Sequence, residues 1–488
     1  MTKRKPSPAL FLALAPILAW LSTSLGPAPV LAAELRVGAV SVSITPDRPV
    51  ALDGQMHTRI STGVTSPVTA TALAMESKDG DTVVDQAVLV SCDLVSIAAT
   101  TLDRVRDVVK ERLPDLDPQK IVISATHTHT GPVVGEGKYQ IPEDGVMRPA
   151  EYGEFLVEQI TDAVAKAWES REPARVGWGL GHAVIAQNRR SVYADGSAQM
   201  YGSTSRDDYR GVEGPEDHGV EVLFFWDQEG NLFATAINVP CPSQEVESQS
   251  TINADIWHEV RETLRAKHGE HLQVLAWTGA SGDQSPHLMY RKAAEERMRN
   301  LRKLDRLQEL ARRVVAAWEE ALEGAQQERV ANAPLVHKVE NLDLPQRLVT
   351  EEEAADAKAK IEELSKDPKN QRIVVWQGEV LKRRDRQQAG ESLTHPVELH
   401  VIRIGDVAIA TNPFELFTQY GIQMKARSKA LQTFLIQLAG PGSYLATAEA
   451  VRGGGYSAIV QSTRVGPEGG QILVDKTVEL VNSLWPNP

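Results

Sequence analysis

Short apolar, β-branched runs alternate with segments of helical period along most of this chain, and that alternation limits what it can fold into. Leu35–Thr45 reads as a strand stopped by Pro46. Thr69–Ser77 and Gln86–Ser91 read as two more, joined through a turn at Asp79-Gly80-Asp81. Ala99–Leu113 follows with helical spacing, Leu102, Val105, Val109 and Leu113 sharing one face. The series continues with a strand at Lys120–Ser124, a helix at Tyr152–Ser170, and strands at Val176–Ala186, Val220–Trp226 and Leu232–Val239. A helix at Ile256–Lys267 and a strand at Gln273–Trp277 come next; Val397–Ile404 and Val407–Thr411 return to strand around Gly405-Asp406. Such interleaving predicts an α/β protein, a mixed β-sheet core flanked by helices.

One stretch departs from this rhythm. Arg291–Gln326 is dense in Arg, Glu, Ala and Leu, with no Gly or Pro before Gly324, and Glu351–Ser365 and Ile373–Gln388 are also helical in pattern. The expectation is a charged peripheral helical region, an insertion over about residues 288–392 in a single domain spanning 33–488. Its charge predicts a solvated outer face, with a dimer contact as the alternative. No internal repeat or low-complexity tract is visible.

The 488 residues carry a formal net charge of −13, which disfavours nucleic acid and anionic membranes as partners. The N-terminus reads as an export signal over residues 1–32. Lys3-Arg4-Lys5 is its basic start, Ala9–Leu25 its apolar run, and Val30-Leu31-Ala32 a small-residue cleavage site after Ala32. An uncleaved anchor is the alternative. The expectation is an exported protein, periplasmic or secreted, with no transmembrane segment after signal cleavage. Cys92 and Cys241 are the only cysteines, as one bridge or two buried thiols.

Chemistry concentrates in two segments. Ser124-Ala125-Thr126-His127-Thr128-His129-Thr130-Gly131-Pro132 follows a strand, where residues two apart share a face, so His127 and His129 are placed to converge on a metal. Two hydrogen-bonded structural histidines are the alternative. Gly279-Ala280-Ser281-Gly282-Asp283-Gln284-Ser285-Pro286-His287 follows another strand and misses the nucleophile elbow only at Asp283. A serine hydrolase on Ser285 or Ser281 and a polar turn capping the sheet are its two readings.

Together these segments resemble the neutral/alkaline ceramidases, whose signatures run S-x-T-H-T-H-[ST]-G-P and G-D-V-S-P. Three more matches follow in chain order. Asn188-Arg189 resembles the family's N-R-S segment, and Asn412-Pro413-Phe414-Glu415 its P-G-E segment. Gly442-Ser443-Tyr444 and Gly455-Tyr456 resemble its two tyrosine segments. The likeness runs from Leu35 to about Gln471, the family's catalytic part without its immunoglobulin-like domain. It implies a zinc-dependent hydrolase of amide bonds, with a small-molecule or lipid-like substrate such as the N-acyl linkage of a ceramide-like lipid. His127, Glu415 and Tyr444 fall on three of the family's four Zn2+ ligand positions. His129, Arg189 and Tyr456 fall on residues that bind substrate or stabilise the oxyanion. Ser285 falls on the serine of the second signature, structural or substrate-binding. The family's second zinc histidine has no counterpart in Asn238-Val239-Pro240-Cys241-Pro242-Ser243-Gln244. Cys241 is the first candidate to replace it, since thiolate binds zinc well; His218 and His258 are the others. Another ester, amide or sugar-derived substrate, and a non-catalytic binding protein on the same scaffold, stay open.

Overall fold

The computed structural model describes residues 1–2 and 33–485, so the export signal expected over residues 1–32 lies, from residue 3 on, outside the described residues. Among the described residues no helix is long and apolar enough to cross a membrane.

Three mixed sheets make the body, each built around one parallel strand pair. In the first, the order is Ile121–Ala125, Thr82–Cys92, Thr69–Asp79, Glu34–Ser43, Glu172–Pro173, with the first two parallel. In the second it is Gln273–Thr278, Leu232–Val239, Gly219–Trp226, Arg175–His182, Val330–Ala331, again with the first two parallel. In the third it is Leu335–Pro345, Thr394–Ile404, Val407–Thr411, Gln432–Ile436, with the last two parallel. Parallel neighbours need a crossover. Helices Ala99–Arg112, Ile256–His268 and Thr418–Arg427 lie on those three connections. The α/β expectation holds.

The sheets share one apolar cluster. Leu35, Leu89 and Val122 of the first meet Leu223, Phe225 and Trp277 of the second and Ile402, Ile409 and Phe434 of the third. Their strand ends are stitched by buried hydrogen bonds. Asn238 donates to Leu435 O at 2.8 Å and accepts from Leu435 N at 3.1 Å. Gln437 N donates to Thr278 O at 3.0 Å, and Thr278 Oγ1 to Ala125 O at 3.3 Å. Carboxyl ends of strands from all three sheets are thereby brought together, where α/β proteins carry their sites.

The charged helical region differs from its sequence picture in one way. Strand Leu335–Pro345 lies inside it and pairs throughout with Thr394–Ile404. Helix Arg306–Ala325 exposes Arg312, Glu319, Glu320 and Glu323 on the solvated outer face expected of it and packs its other side on a sheet. It buries Leu310, Val314, Trp318 and Ala321 against the strand Arg175–His182. The contact needs bare backbone, since a Cβ at Gly179 would lie 2.4 Å from Ala321 O and one at Gly181 2.0 Å from Ala317 O. Helices Glu351–Leu364 and Gln371–Gln388 pair with each other, the second over the cavity described below.

Candidate active site

His127 follows the strand Ile121–Ala125 with φ 68°, the left-handed region that costs a non-glycine residue about 1 kcal/mol. Its N–H bonds Leu94 O at 2.9 Å. The two histidines therefore converge through a turn, not through the strand alternation expected from sequence. His127 Nδ1 lies 2.7 Å from Val95 O, which only accepts, so Nδ1 carries the proton and Nε2 faces the site. There it stands 3.4 Å from Glu415 Oε2 and 3.3 Å from His129 Nε2.

Glu415 and Tyr444 are register partners in a short parallel ladder, Glu415–Leu416 beside Tyr444–Leu445. Gly442 permits that approach, since a Cβ there would sit 1.8 Å from Pro413 O. Burial raises the Glu415 pKa, but the charges and hydrogen bonds of His127, Arg189 and Tyr444 outweigh it and lower the value, keeping the carboxylate ionised.

Arg189 is buried among these groups. It donates to Gln244 Oε1 at 2.8 Å, Tyr201 OH at 3.1 Å, Gly282 O at 2.9 Å and Tyr444 OH at 3.3 Å, and lies 3.9 Å from Glu415. The guanidinium only donates, so it fixes Gln244 with its amide NH2 turned away. That NH2 lies 2.8 Å from His129 Nε2, making Nε2 an acceptor and placing the His129 proton on Nδ1. Nδ1 sits 3.1 Å from Glu247 Oε2, off the direction of an aligned bond. Burial, against the pull of Glu247, holds the His129 imidazole below its ordinary pKa.

Gln244, Glu247 and Tyr201 were not among the residues singled out in sequence. The first two come from the loop where the family's histidine is missing. Asp255 anchors that loop, accepting from Val246 N at 2.9 Å and Ile256 N at 2.8 Å. Gly54, also unforeseen, packs on the His129 ring, where a Cβ would lie 2.4 Å from Cγ.

Cys241 is fully buried in an apolar cluster with Val239, Ile256 and Trp257, and its thiol bonds Pro242 O at 3.5 Å. Burial pushes the thiol well above its usual pKa. Both cysteines are free, so the bridge alternative gives way to two buried thiols. His218 pairs with Glu216 at 3.2 Å. Ser285 Oγ accepts from Tyr201 OH at 3.0 Å and from His287 N at 3.2 Å. Ser281 Oγ donates to Gly279 O at 2.9 Å. Neither hydroxyl bonds an imidazole among the described residues. Tyr456 is 40% exposed, its ring 5.9 Å from that of Tyr444 and 5.7 Å from that of Trp376.

Among the described residues, no group of three His, Cys, Asp or Glu side chains is arranged to hold a metal ion. The donors that do converge are one imidazole, one carboxylate and one phenol. His127 Nε2 and Glu415 Oε2 stand at the separation of two ligands on one tetrahedral zinc, roughly 3.3 Å for bonds near 2.0 Å. His127 and Glu415 are donors of types that zinc takes, with the phenol of Tyr444 beside them, while the loop segment brings in an amide, Gln244, that Arg189 engages and that faces His129.

No protein-family model matches the sequence, and no curated protein matches it. Among solved structures, the chain is similar to neutral ceramidase from Pseudomonas aeruginosa. Identity is 18% and the TM-score 0.66, over 93% of this chain and 74% of that one. It is likewise similar to a ceramidase complexed with C2, at 16% identity and a TM-score of 0.64, over 93% and 75%. The chain has the neutral ceramidase fold, as the motif order implied.

Proposed function

From that fold and this constellation we propose an exported, zinc-dependent hydrolase of amide bonds, acting on an N-acyl linkage. The observation that carries the reading is the convergence of His127, Glu415 and Tyr444 beside Arg189 and His129, from separate strand ends. His127, Glu415 and Tyr444 would hold the ion. When bound, zinc activates a water and polarises the carbonyl. At His129, Nε2 would exchange the N–H of Gln244 for the proton of the attacking water and pass it to the leaving amine, while Glu247, facing Nδ1, would steady the charged ring. Tyr456, its ring 5.9 Å from that of Tyr444, would donate to the developing oxyanion, and Arg189, held by Gln244, Tyr201, Gly282 and Tyr444, would supply fixed positive charge beside it. Ser285 holds Tyr201, and through it Arg189, in place.

The test is metal content with turnover. The chain from Ala33 onward is loaded with zinc, dialysed, and assayed on N-acyl and ester substrates. About one zinc per chain is expected, lost in His127→Ala and kept in Cys241→Ser. If zinc, manganese and iron all fail to bind, the hydrolase reading is wrong. The absence of a histidine from the segment 238–244 then favours a second reading, a binding protein that retains the pocket without the chemistry.

A further inference from the structure

A cavity of about 580 Å³ opens onto Glu415, Tyr444 and Tyr456. Its walls carry six cations, Lys138, Arg372, Lys382, Arg383, Arg386 and Arg464, against two acids, Glu379 and Glu415. In a chain of net charge −13 this is a local reversal of sign. Three of the cations are answered: Lys138 by Asp53 at 2.8 Å, Lys382 by Glu379 at 2.8 Å, and Arg386 by Glu391 at 2.6 Å. Arg372, Arg383 and Arg464 have no carboxylate within 4.0 Å among the described residues.

Arg383 is 8% exposed and spends its guanidinium on neutral carbonyls, Thr463 O at 2.9 Å and Val460 O at 2.7 Å. Burial, then repulsion from Arg347 and Arg464, pulls it down to about 10. His395, also 8% exposed, lines the same cavity with a buried Nε2 that has no partner. Uncompensated like charges in a partly enclosed cleft focus a positive field, and guanidinium groups match oxyanions in shape as well as charge.

We infer that this cavity binds an oxyanion group of the substrate, a sulfate, phosphate or carboxylate set apart from the scissile bond and held by Arg372, Arg383 and Arg464. The inference rests on the hydrolase reading for the word substrate, but the oxyanion subsite stands on its own geometry. A neutral N-acyl lipid brings no charge to offset the three guanidiniums. Helix Gln371–Gln388, which supplies Arg372 and Arg383, is on this view a specificity element.

Two measurements test it on the chain from Ala33 onward. The first is calorimetric binding of inorganic phosphate and of inorganic sulfate to the wild type and to the double variant Arg372→Gln/Arg464→Gln. These two side chains are exposed or half-exposed, and thermal unfolding checks the fold of the variant. Salt-sensitive binding that weakens roughly tenfold or more in the double variant is expected. The second compares kcat/KM for matched N-acyl compounds bearing sulfate, phosphate, carboxylate or no charge. An anionic preference of roughly tenfold that collapses in the double variant supports the inference, and the preferred arm names the oxyanion. Hydrolysis with no preference, or anion binding indifferent to the two arginines, overturns it and leaves the hydrolase reading intact. Arginine-dependent anion binding without turnover of any compound supports the subsite and sinks the hydrolase.

Discussion

His127 combines a left-handed backbone with an aimed imidazole, so strain and chemistry fall on one residue. Both His127→Gly and His127→Ala remove the ring, but only glycine accepts φ 68° without steric penalty. The glycine variant should unfold at a higher temperature than the alanine one, the difference corresponding to about 1 kcal/mol, and both should lose zinc. Equal unfolding temperatures would mean that the strain is not real. Gln244→His should supply the missing imidazole and tighten zinc by at least about tenfold, measured by competition with a chelator. Unchanged affinity would place the fourth ligand elsewhere. Gly54→Ala should lower kcat/KM roughly tenfold or more, because the new methyl displaces the His129 ring. The sequence pointed to His127 and His129 by residue type and spacing, and to Arg189, Glu415, Tyr444 and Tyr456 only through the family resemblance. It did not disclose Gln244 and Glu247, ordinary polar residues of a loop whose course is set by a buried carboxylate at Asp255. Cys241 was chosen for its type, and its side chain turned out to lie in the core.

At the scale of elements, the clearest packing device is the run Gly177, Gly179, Gly181, over which helix Arg306–Ala325 lies. Gly181→Val must push the helix off the sheet, at a cost of about 3 kcal/mol; a thermal melt should fall by several degrees. A melt unchanged within error would refute the close contact. That helix is amphipathic, as its pattern implied: its many charges occupy one side while Leu310, Val314 and Trp318 fill the other. Long strands and helices were legible because each repeats its period several times. The two-residue ladders at Glu415–Leu416 and Tyr444–Leu445 hold half of the site, yet they are too short to show any period. Strand Leu335–Pro345 escaped notice because Lys338, Glu340, Asn341 and Asp343 dilute its apolar alternation.

For the whole molecule, junctions between sheets set the response to acid. Arg106, on a helix of the first sheet's crossover, grips Glu398 of the third sheet at 2.6 Å, and His400 lies 2.8 Å from the same carboxylate. Burial raises the Glu398 pKa, but the hydrogen bonds of His400 and Arg106 outweigh it and bring the value from 4.5 to about 2. The unfolded chain therefore binds the proton more readily between those values. This contribution is fully present above pH 4.5 and is lost as pH falls toward about 2. Wild-type unfolding temperature should drop across that window, and Glu398→Gln should flatten part of the drop while lowering the plateau at neutral pH. Parallel pH curves for the two proteins would count against the junction.

The third sheet holds one further consequence. Leu335–Pro345 and Thr394–Ile404 stay paired up to Pro345 opposite Thr394, and Gln346 N reaches Leu393 O at 3.0 Å. Residues 346–393, including the arginine-bearing helix over the cavity, thus leave and rejoin the sheet roughly one strand spacing apart, about 5 Å. Topologically they are a hairpin loop grown into a cassette. The strand ends that carry His127, Glu415 and Tyr444 lie outside this cassette, which is anchored instead on residues 458–465. Scission chemistry and choice of compound are on this plan separately inheritable.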